Sequence, residues 1–258
     1  MLQLTAKILY NKKVKGDYFC LAMRAPWIAK ESVPGQFLNI KVSGSYEPLL
    51  RRPFSIHKAG GPDIWILYEV VGEATRILSG RKPGEYINVI GPLGKGFDYT
   101  LSVAGDRLSI LTSGGMGVAP LLFLAEKLSK SRKLALIGAR DKEHLLCEKE
   151  LKDLGCAVRV STDDGSRGFK GYVGDLLEKE LSDMGDTQRA VIYACGPRPL
   201  LKEISRVSKK HGIAAQISME EHMACGIGAC LGCVVNTKEG FKRACKEGPV
   251  FNAGEVIW

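Results

Sequence analysis

Apolar and polar residues alternate from the first residues of the chain, and through the first hundred they do so in short runs. Leu4–Leu9, Tyr18–Met23, Phe37–Val42, Phe54–His57, Ile64–Val71 and Tyr86–Ile90 are rich in β-branched and aromatic residues, and most are separated by Gly, Pro, Asn or Asp. That is the signature of strands joined by tight turns. Six strands at this spacing predict a small closed barrel. One helical turn is expected among them, with Thr75 capping Arg76–Ser79 and Gly80 ending it. The segment 91–105 holds four glycines and a proline and marks the expected domain boundary.

From Arg107 the rhythm changes to strands alternating with helices, which predicts βαβ units and a parallel sheet. The expected strands are Leu108–Thr112, Leu134–Gly138, Ala157–Ser161, Ala190–Ala194 and Ala214–Ser218. The expected helices are Pro120–Ser129, Leu145–Leu154, Val173–Met184 and Pro199–His211, the first with Pro120 in its opening turn. Leu200, Ile204, Val207 and His211 share a helical face, a packing pattern. A tail, Met219–Trp258, follows. The organisation expected is therefore 1–100, 101–217 and 218–258: a β barrel, a Rossmann-like α/β domain and a small cysteine-bearing domain.

Composition narrows the class. The 258 residues are 45% hydrophobic and 25% charged, ordinary for a globular protein with a core. The formal charge of +9 is scattered without aromatic interleaving, so a solvated basic surface is expected and nucleic-acid binding is not. No apolar run reaches the ~18 residues of a membrane span. The amino terminus lacks the continuous apolar stretch of a signal peptide and reads as a strand pair. Of eight cysteines, Cys225, Cys230, Cys233 and Cys245 crowd into 21 residues. Without a secretion signal, such clustering points to metal binding in a reducing, cytoplasmic compartment.

Three motifs carry chemistry. Cys225-x4-Cys230-x2-Cys233-x11-Cys245 offers four thiolates, three of them in the C-x4-C-x2-C loop that wraps a two-iron cluster. Structural zinc is the competitor, but zinc sites are usually built from two short-spaced pairs, and here there is one. The second motif is Arg51–Arg52–Pro53–Phe54–Ser55–Ile56, where a guanidinium fork suits phosphate and a hydroxyl can tune a redox centre. The third is Thr112-Ser-Gly114-Gly115-Met-Gly117-Val-Ala-Pro120, between a strand and a helix as a dinucleotide loop requires. It is joined by Cys195–Gly196–Pro197, again at a strand end. Both stand where open α/β sheets bind ligands. Asp163–Asp164–Gly165 reads as a turn.

Arg-x-Phe-Ser at a barrel strand resembles the flavin motif of the ferredoxin reductase family. That resemblance assigns Arg52 to the FAD pyrophosphate, Phe54 to flavin stacking and Ser55 to the isoalloxazine N5, with Pro53 between them. It assigns a second flavin segment to Leu67, Tyr68, Glu69 and Val70, followed by Ala74 and Thr75; Ala74 stands where typical members have Gly. Gly114, Gly115 and Gly117 would take the NAD phosphates, and Cys195, Gly196 and Pro197 would lie beside the nicotinamide. Cys195 is read as shaping that site rather than as a nucleophile, because hydride transfer needs none. Arg140 stands where a 2′-phosphate would separate NADP from NAD.

The three motifs in this order, with Glu220–Ala224 leading into the cysteine loop and Lys242–Phe251 after it, are similar to the electron-transfer subunits of NAD-linked dihydroorotate dehydrogenase. The resemblance implies Cys225, Cys230, Cys233 and Cys245 as ligands of a 2Fe–2S cluster, together with FAD and NAD. It also implies an FMN-containing catalytic partner subunit in a hetero-tetramer, where dihydroorotate is oxidised to orotate in pyrimidine biosynthesis. Subunits of ferredoxin–NADP transhydrogenases and sulfide dehydrogenases share the layout and are the alternative. A zinc-stapled interaction module is the non-enzymatic one.

Overall fold

The computed structural model describes residues 1–100, 102, 107–184 and 189–258. The first part is a closed antiparallel barrel of six strands: β1 (Leu2–Lys15), β2 (Tyr18–Arg24), β3 (Phe37–Lys41), β4 (Arg52–Gly60), β5 (Asp63–Glu69) and β6 (Tyr86–Leu93), in the order β1-β2-β5-β4-β3-β6. Alternation fills it. Ile8, Leu21, Met23, Leu38, Ile40, Ile56, Ile64 and Ile66 point inward with no exposed surface, each burial contributing about 1.5–3 kcal/mol. The barrel gives every strand two neighbours, so no bare edge remains.

The strands run longer than the hydrophobic runs suggested, because Lys12 and Lys13 continue β1 with side chains in solvent and Lys15 ends it by donating to the Lys142 carbonyl at 3.0 Å. Two further differences concern helices. Pro26–Glu31 forms a short helix, α1, with Pro26 at its first position, where the missing N–H costs nothing. The second helix, α2, begins at Glu73 and ends at Ser79 with Gly72 as its cap. Thr75 is therefore its third residue rather than its cap. The Thr75 hydroxyl oxygen instead accepts the N–H groups of Val71 and Gly72 at 3.0 and 3.1 Å, steadying the entry to the helix from within.

The second part is a seven-stranded sheet in the order β10-β9-β8-β7-β11-β12-β15. Its strands are β7 (Leu108–Gly114), β8 (Lys133–Ala139), β9 (Ala157–Thr162), β10 (Phe169–Lys170), β11 (Ala190–Cys195), β12 (Ala214–Ser218) and β15 (Val250–Asn252). All pairs are parallel except β12 with β15. The helices are α3 (Val118–Lys127), α4 (Glu148–Asp153), α5 (Val173–Asp183) and α6 (Arg198–His211). On α6 the buried stripe is Leu201, Ile204 and Val207, while His211 bonds the Glu178 carboxylate at 3.0 Å. The expected boundary segment runs partly outside the described residues. The barrel's last strand ends at Leu93 and the sheet's first begins at Leu108.

Helix α3 locks the two parts together. Val118 to Ala125 are all buried, as expected of a helix covered on every side. Phe123 enters the barrel core, His57 Nδ1 on β4 bonds the Ala119 carbonyl at 3.0 Å, and Lys58 pairs with Glu126 at 2.9 Å. The tail adds a hairpin, β13 (Val234–Thr237) with β14 (Gly240–Arg243), and then β15 joins the main sheet. No helix among the described residues is long and apolar enough to cross a membrane.

Candidate functional site: one cleft between barrel, sheet and tail

Strand order reverses direction between β7 and β11, the switch point at which such sheets bind ligands. At their carboxyl ends Ser113 pairs with Cys195, so the two glycine loops begin side by side. They touch backbone to backbone. A Cβ on Gly117 would lie 2.0 Å from the Cys195 carbonyl oxygen, and one on Gly196 (φ +154°) would lie 2.9 Å from the Gly114 nitrogen. A Cβ on Gly114 would meet Pro197 Cδ at 3.0 Å. Contact between the loops thus accounts for these glycines. Gly115 differs: its φ is +53° and a Cβ there would meet nothing within 4 Å, so its backbone borders open space.

Beside these loops lies a cleft of about 820 Å³. The barrel contributes Arg52, Pro53, Phe54 and Ser55 from β4 and Leu67, Tyr68 and Glu69 from β5. Ala74 and Thr75 come from α2, and Cys195 from the end of β11. The wall is thus drawn from the sequence motifs. Val70 is not on it; its N–H goes to the Asp17 carbonyl at 2.9 Å. Gly114, Gly115, Gly117, Gly196 and Pro197 are not on it either, and Met116 and Ala119 are the residues of the first glycine motif that reach the wall. Residues that the sequence motifs do not single out also line it: Phe37, Arg198, Ser218 at the end of β12, and Met219 to Met223 of the tail, with Pro249. Glu220–Met223 carries a family resemblance in its residues, and nothing in its periodicity marks a cleft wall.

Alternation along β4 sorts the flavin motif. Phe54 turns inward, 9% exposed, with its ring edge-on to Tyr68 at 5.7 Å. Tyr68 donates to Asn11 Oδ1 at 3.0 Å, and burial pushes its phenol up to about 12. Pro53 and Ser55 face outward, and the Ser55 hydroxyl has no hydrogen-bond partner among the described residues. Arg52 Nη1 donates to the Leu50 and Arg51 carbonyls at 2.7 and 3.3 Å, and its other nitrogens have no partner among the described residues. Burial pushes the Cys195 thiol up to about 12, and the nearby Glu220 charge adds to this. A thiol so protonated is no nucleophile. Desolvation likewise raises the Glu220 carboxyl.

The cysteine loop is shaped for thiolates. The N–H groups of Ile227 and Ala229 point at Cys225 Sγ at 3.4 and 3.3 Å, Gly232 at Cys230 Sγ at 3.5 Å and Cys245 at Cys233 Sγ at 3.4 Å. Burial alone would raise the Cys225 thiol, but N–H donors from Ile227, Cys230 and Ala229 outweigh it and pull it down to about 6. Gly226 and Gly228 are left-handed at φ +69° and +85°, and Arg243 fastens the loop by donating to the Gly228 carbonyl at 2.7 Å. Among the described residues no three His, Cys, Asp or Glu side chains gather about a single ion position. Three of the four sulfurs, those of Cys225, Cys230 and Cys233, receive N–H donors, which suits a cluster whose charge is spread over several sulfurs.

At the far end of β8, Arg140 donates to His144 Nδ1 at 3.1 Å and lies 3.5 Å from Asp141. It is thus engaged by its own loop. Asp163–Asp164–Gly165 is a turn, with Asp164 accepting from the Ser166 N–H at 2.9 Å.

A closed barrel bearing this cleft, set on a parallel sheet with a glycine loop at the switch point, defines a ferredoxin-reductase-like oxidoreductase. Comparison with known proteins agrees. The chain matches the family model of the oxidoreductase NAD-binding domain over residues 111–206 and that of the iron–sulfur cluster binding domain of dihydroorotate dehydrogenase B over residues 220–257. It is 41% identical to the "dihydroorotate dehydrogenase B (NAD(+)), electron transfer subunit" of Desulforamulus reducens, over 98% of this chain and 97% of that one. A solved chain from an NADH-dependent reduced ferredoxin–NADP oxidoreductase superposes with a TM-score of 0.85 at 29% identity, covering 98% of this chain and 90% of that one. A Neisseria gonorrhoeae ferredoxin–NADP+ reductase with bound FAD and NADP shares the fold alone, with a TM-score of 0.69 at 17% identity over 81% of this chain and 92% of that one. The chain belongs to the family of dihydroorotate dehydrogenase B electron transfer subunits. The matched family models give it a NAD-binding domain and an iron–sulfur cluster binding domain.

Proposed function

We propose that this chain carries electrons from an FMN-containing catalytic subunit, which oxidises dihydroorotate to orotate, to NAD in pyrimidine biosynthesis. The observation that carries the reading is the single cleft on which the barrel motif, Cys195 and the head of the cysteine tail all meet. When bound, FAD exchanges a hydride with NAD and single electrons with the cluster.

The residues divide the work. Arg52, on the cleft wall and tethered through Nη1 to the Leu50 carbonyl, presents its remaining nitrogens to a pyrophosphate. The outward, unpartnered Ser55 hydroxyl is available to a ring nitrogen, and Pro53 with the edges of Phe54 and Tyr68 forms an apolar wall. Leu67, Glu69, Ala74 and Thr75 close the other side, and Val70 holds the β1–β2 turn. Gly114, Gly115 and Gly117 cradle the dinucleotide, while Cys195, Gly196 and Pro197 border the nicotinamide. Cys195 fills space there as a neutral thiol. Cys225, Cys230, Cys233 and Cys245 hold the cluster. In this reading 1–100 is the FAD domain, 101–217 the NAD domain and 218–258 the cluster domain. The complex is a hetero-tetramer in the cytoplasm, where reduced thiols persist.

NAD rather than NADP fits the engagement of Arg140 by Asp141 and His144, which leaves less of its charge for a 2′-phosphate. The 29% identical ferredoxin–NADP oxidoreductase chain favours a second reading, in which the partner handles ferredoxin. One experiment separates them. The purified chain is mixed anaerobically with NADH, and flavin and cluster bands are followed by absorbance before and after adding the dihydroorotate-oxidising subunit. Bleaching by NADH, together with NADH formation once dihydroorotate and NAD+ are supplied to the two-subunit mixture, supports the proposal. A chain reduced by NADH that gains no dihydroorotate activity points to the other partner.

A further inference from the structure

Strand β3 presents its outward side chains to two places at once. Phe37 stands on the cleft wall, and Asn39, two residues on, faces the cysteine loop. Asn39 has no exposed surface. Its Nδ2 donates to the Cys225 carbonyl at 3.1 Å, the only side-chain hydrogen bond between barrel and cysteine loop among the described residues. The chain then passes so close that a Cβ on Gly226 would lie 2.4 Å from that same nitrogen. Across the ladder from Asn39 stands Pro53 of the flavin motif, and Arg51 Nη1 donates to the Asn39 carbonyl at 3.4 Å.

The amide is also incompletely satisfied: Asn39 Oδ1 is buried with no donor among the described residues. Turning the amide over would set oxygen against the Cys225 oxygen, so Nδ2 must face the loop. An unpaired buried acceptor costs free energy that an apolar side chain would avoid. The contact to Cys225 is what the amide offers in return.

We propose that Asn39 is a positioning residue that sets the iron–sulfur cluster relative to the flavin. It holds the Cys225 carbonyl and the turn at Gly226 against the strand paired with the flavin motif, so the two redox centres share one rigid reference. The inference rests on the reading that the cleft takes flavin and that the four cysteines hold the cluster.

The test uses the full, cofactor-loaded chain with Asn39→Asp, which keeps the shape but removes the donor, and Asn39→Ala, which removes the side chain. Each is mixed with NADH in a stopped-flow instrument, and the dithionite-reduced cluster is recorded by electron paramagnetic resonance. Both variants are expected to retain flavin and iron and to reduce flavin at the native rate. The later cluster phase should slow about tenfold or more, as for residues that orient metal ligands, and the cluster's resonance should shift. An unchanged cluster phase and resonance in both variants overturns the inference. So does loss of flavin together with cluster in both, which makes Asn39 a folding residue. If the native chain itself shows no flavin and cluster reducible by NADH, the underlying reading fails as well, and the two failures are distinct.

Discussion

Gly117 and Cys195 are in backbone contact: a Cβ on the glycine would sit 2.0 Å from the cysteine carbonyl oxygen and 2.3 Å from its carbon. The nucleotide loop is thereby pinned to the strand end that borders the cleft. Gly117→Ala must push these loops apart, and overpacking of this kind costs about 1–3 kcal/mol. Gly115→Ala meets no atom and bears only the left-handed backbone penalty of about 1–2 kcal/mol. Thermal unfolding with NADH titration should show Gly117→Ala losing more, in both the midpoint and the rate of flavin reduction. The opposite order would contradict the geometry.

Thiol labelling reads out the two kinds of cysteine. In the chain freed of its cluster, Cys225 is held down to about 6 by N–H donors that overcome its burial, so it is thiolate at pH 7. Cys195 is pushed up to about 12 and stays protonated. Iodoacetamide should modify Cys225 early, at a rate that climbs between pH 5 and pH 7 and then levels, and Cys195 last. Early modification of Cys195, mapped by mass spectrometry, would restore it as a reactive nucleophile.

Arg52→Ala removes the guanidinium from the cleft rim while leaving the barrel core untouched. A charge-assisted hydrogen bond contributes about 1.5–3 kcal/mol, equivalent to roughly 10- to 150-fold in affinity. Equilibrium dialysis of FAD against the cofactor-free chain should show that loss without a change in the circular dichroism of the protein.

His57 should make stability fall in mild acid. Burial depresses its imidazole below the ordinary value, while Ala119, Glu150 and Glu126 act the other way and Lys58 adds to the lowering. The unfolded chain therefore takes up the proton first, near pH ~6.5. Stability present above that pH declines as pH drops toward the depressed native value and levels below it. His57→Gln, which keeps a donor for the Ala119 carbonyl, should flatten the denaturation midpoint across that window. An equal slope in native and variant chains would assign the acid sensitivity to other groups.

Much of the architecture could be read in the residues because alternation and loop chemistry are local. The β3 run Phe37–Val42 is recognisable as a strand, yet nothing in it marks its outward pair, Phe37 and Asn39, as anything but ordinary strand positions. Their significance comes from a tail almost two hundred residues away. Thr75 was misplaced for a related reason: Gly72 can cap a helix without a side chain, so the true start carried no capping signal. The cysteine spacing announced a cluster, but the cleft wall formed by Ser218 to Met223 arises only when the sheet ends beside the barrel. Gly114 and Gly117 read as phosphate-loop residues and Gly196 as a neighbour of the nicotinamide, and contact between the two loops requires all three.

Strand β15 has a consequence for how the molecule could be taken apart. Val250, Phe251 and Asn252 pair antiparallel with Ser218, Ile217 and Gln216, so the tail returns to cover the rim of the nucleotide sheet. Severing the chain after Ser218 would uncover a hydrogen-bonding edge next to Ile217, an invitation to self-association. The segment is therefore no detachable cartridge. A chimera that borrows this cluster from one relative for another has to bring the sheet's outer strand and its mate along with it.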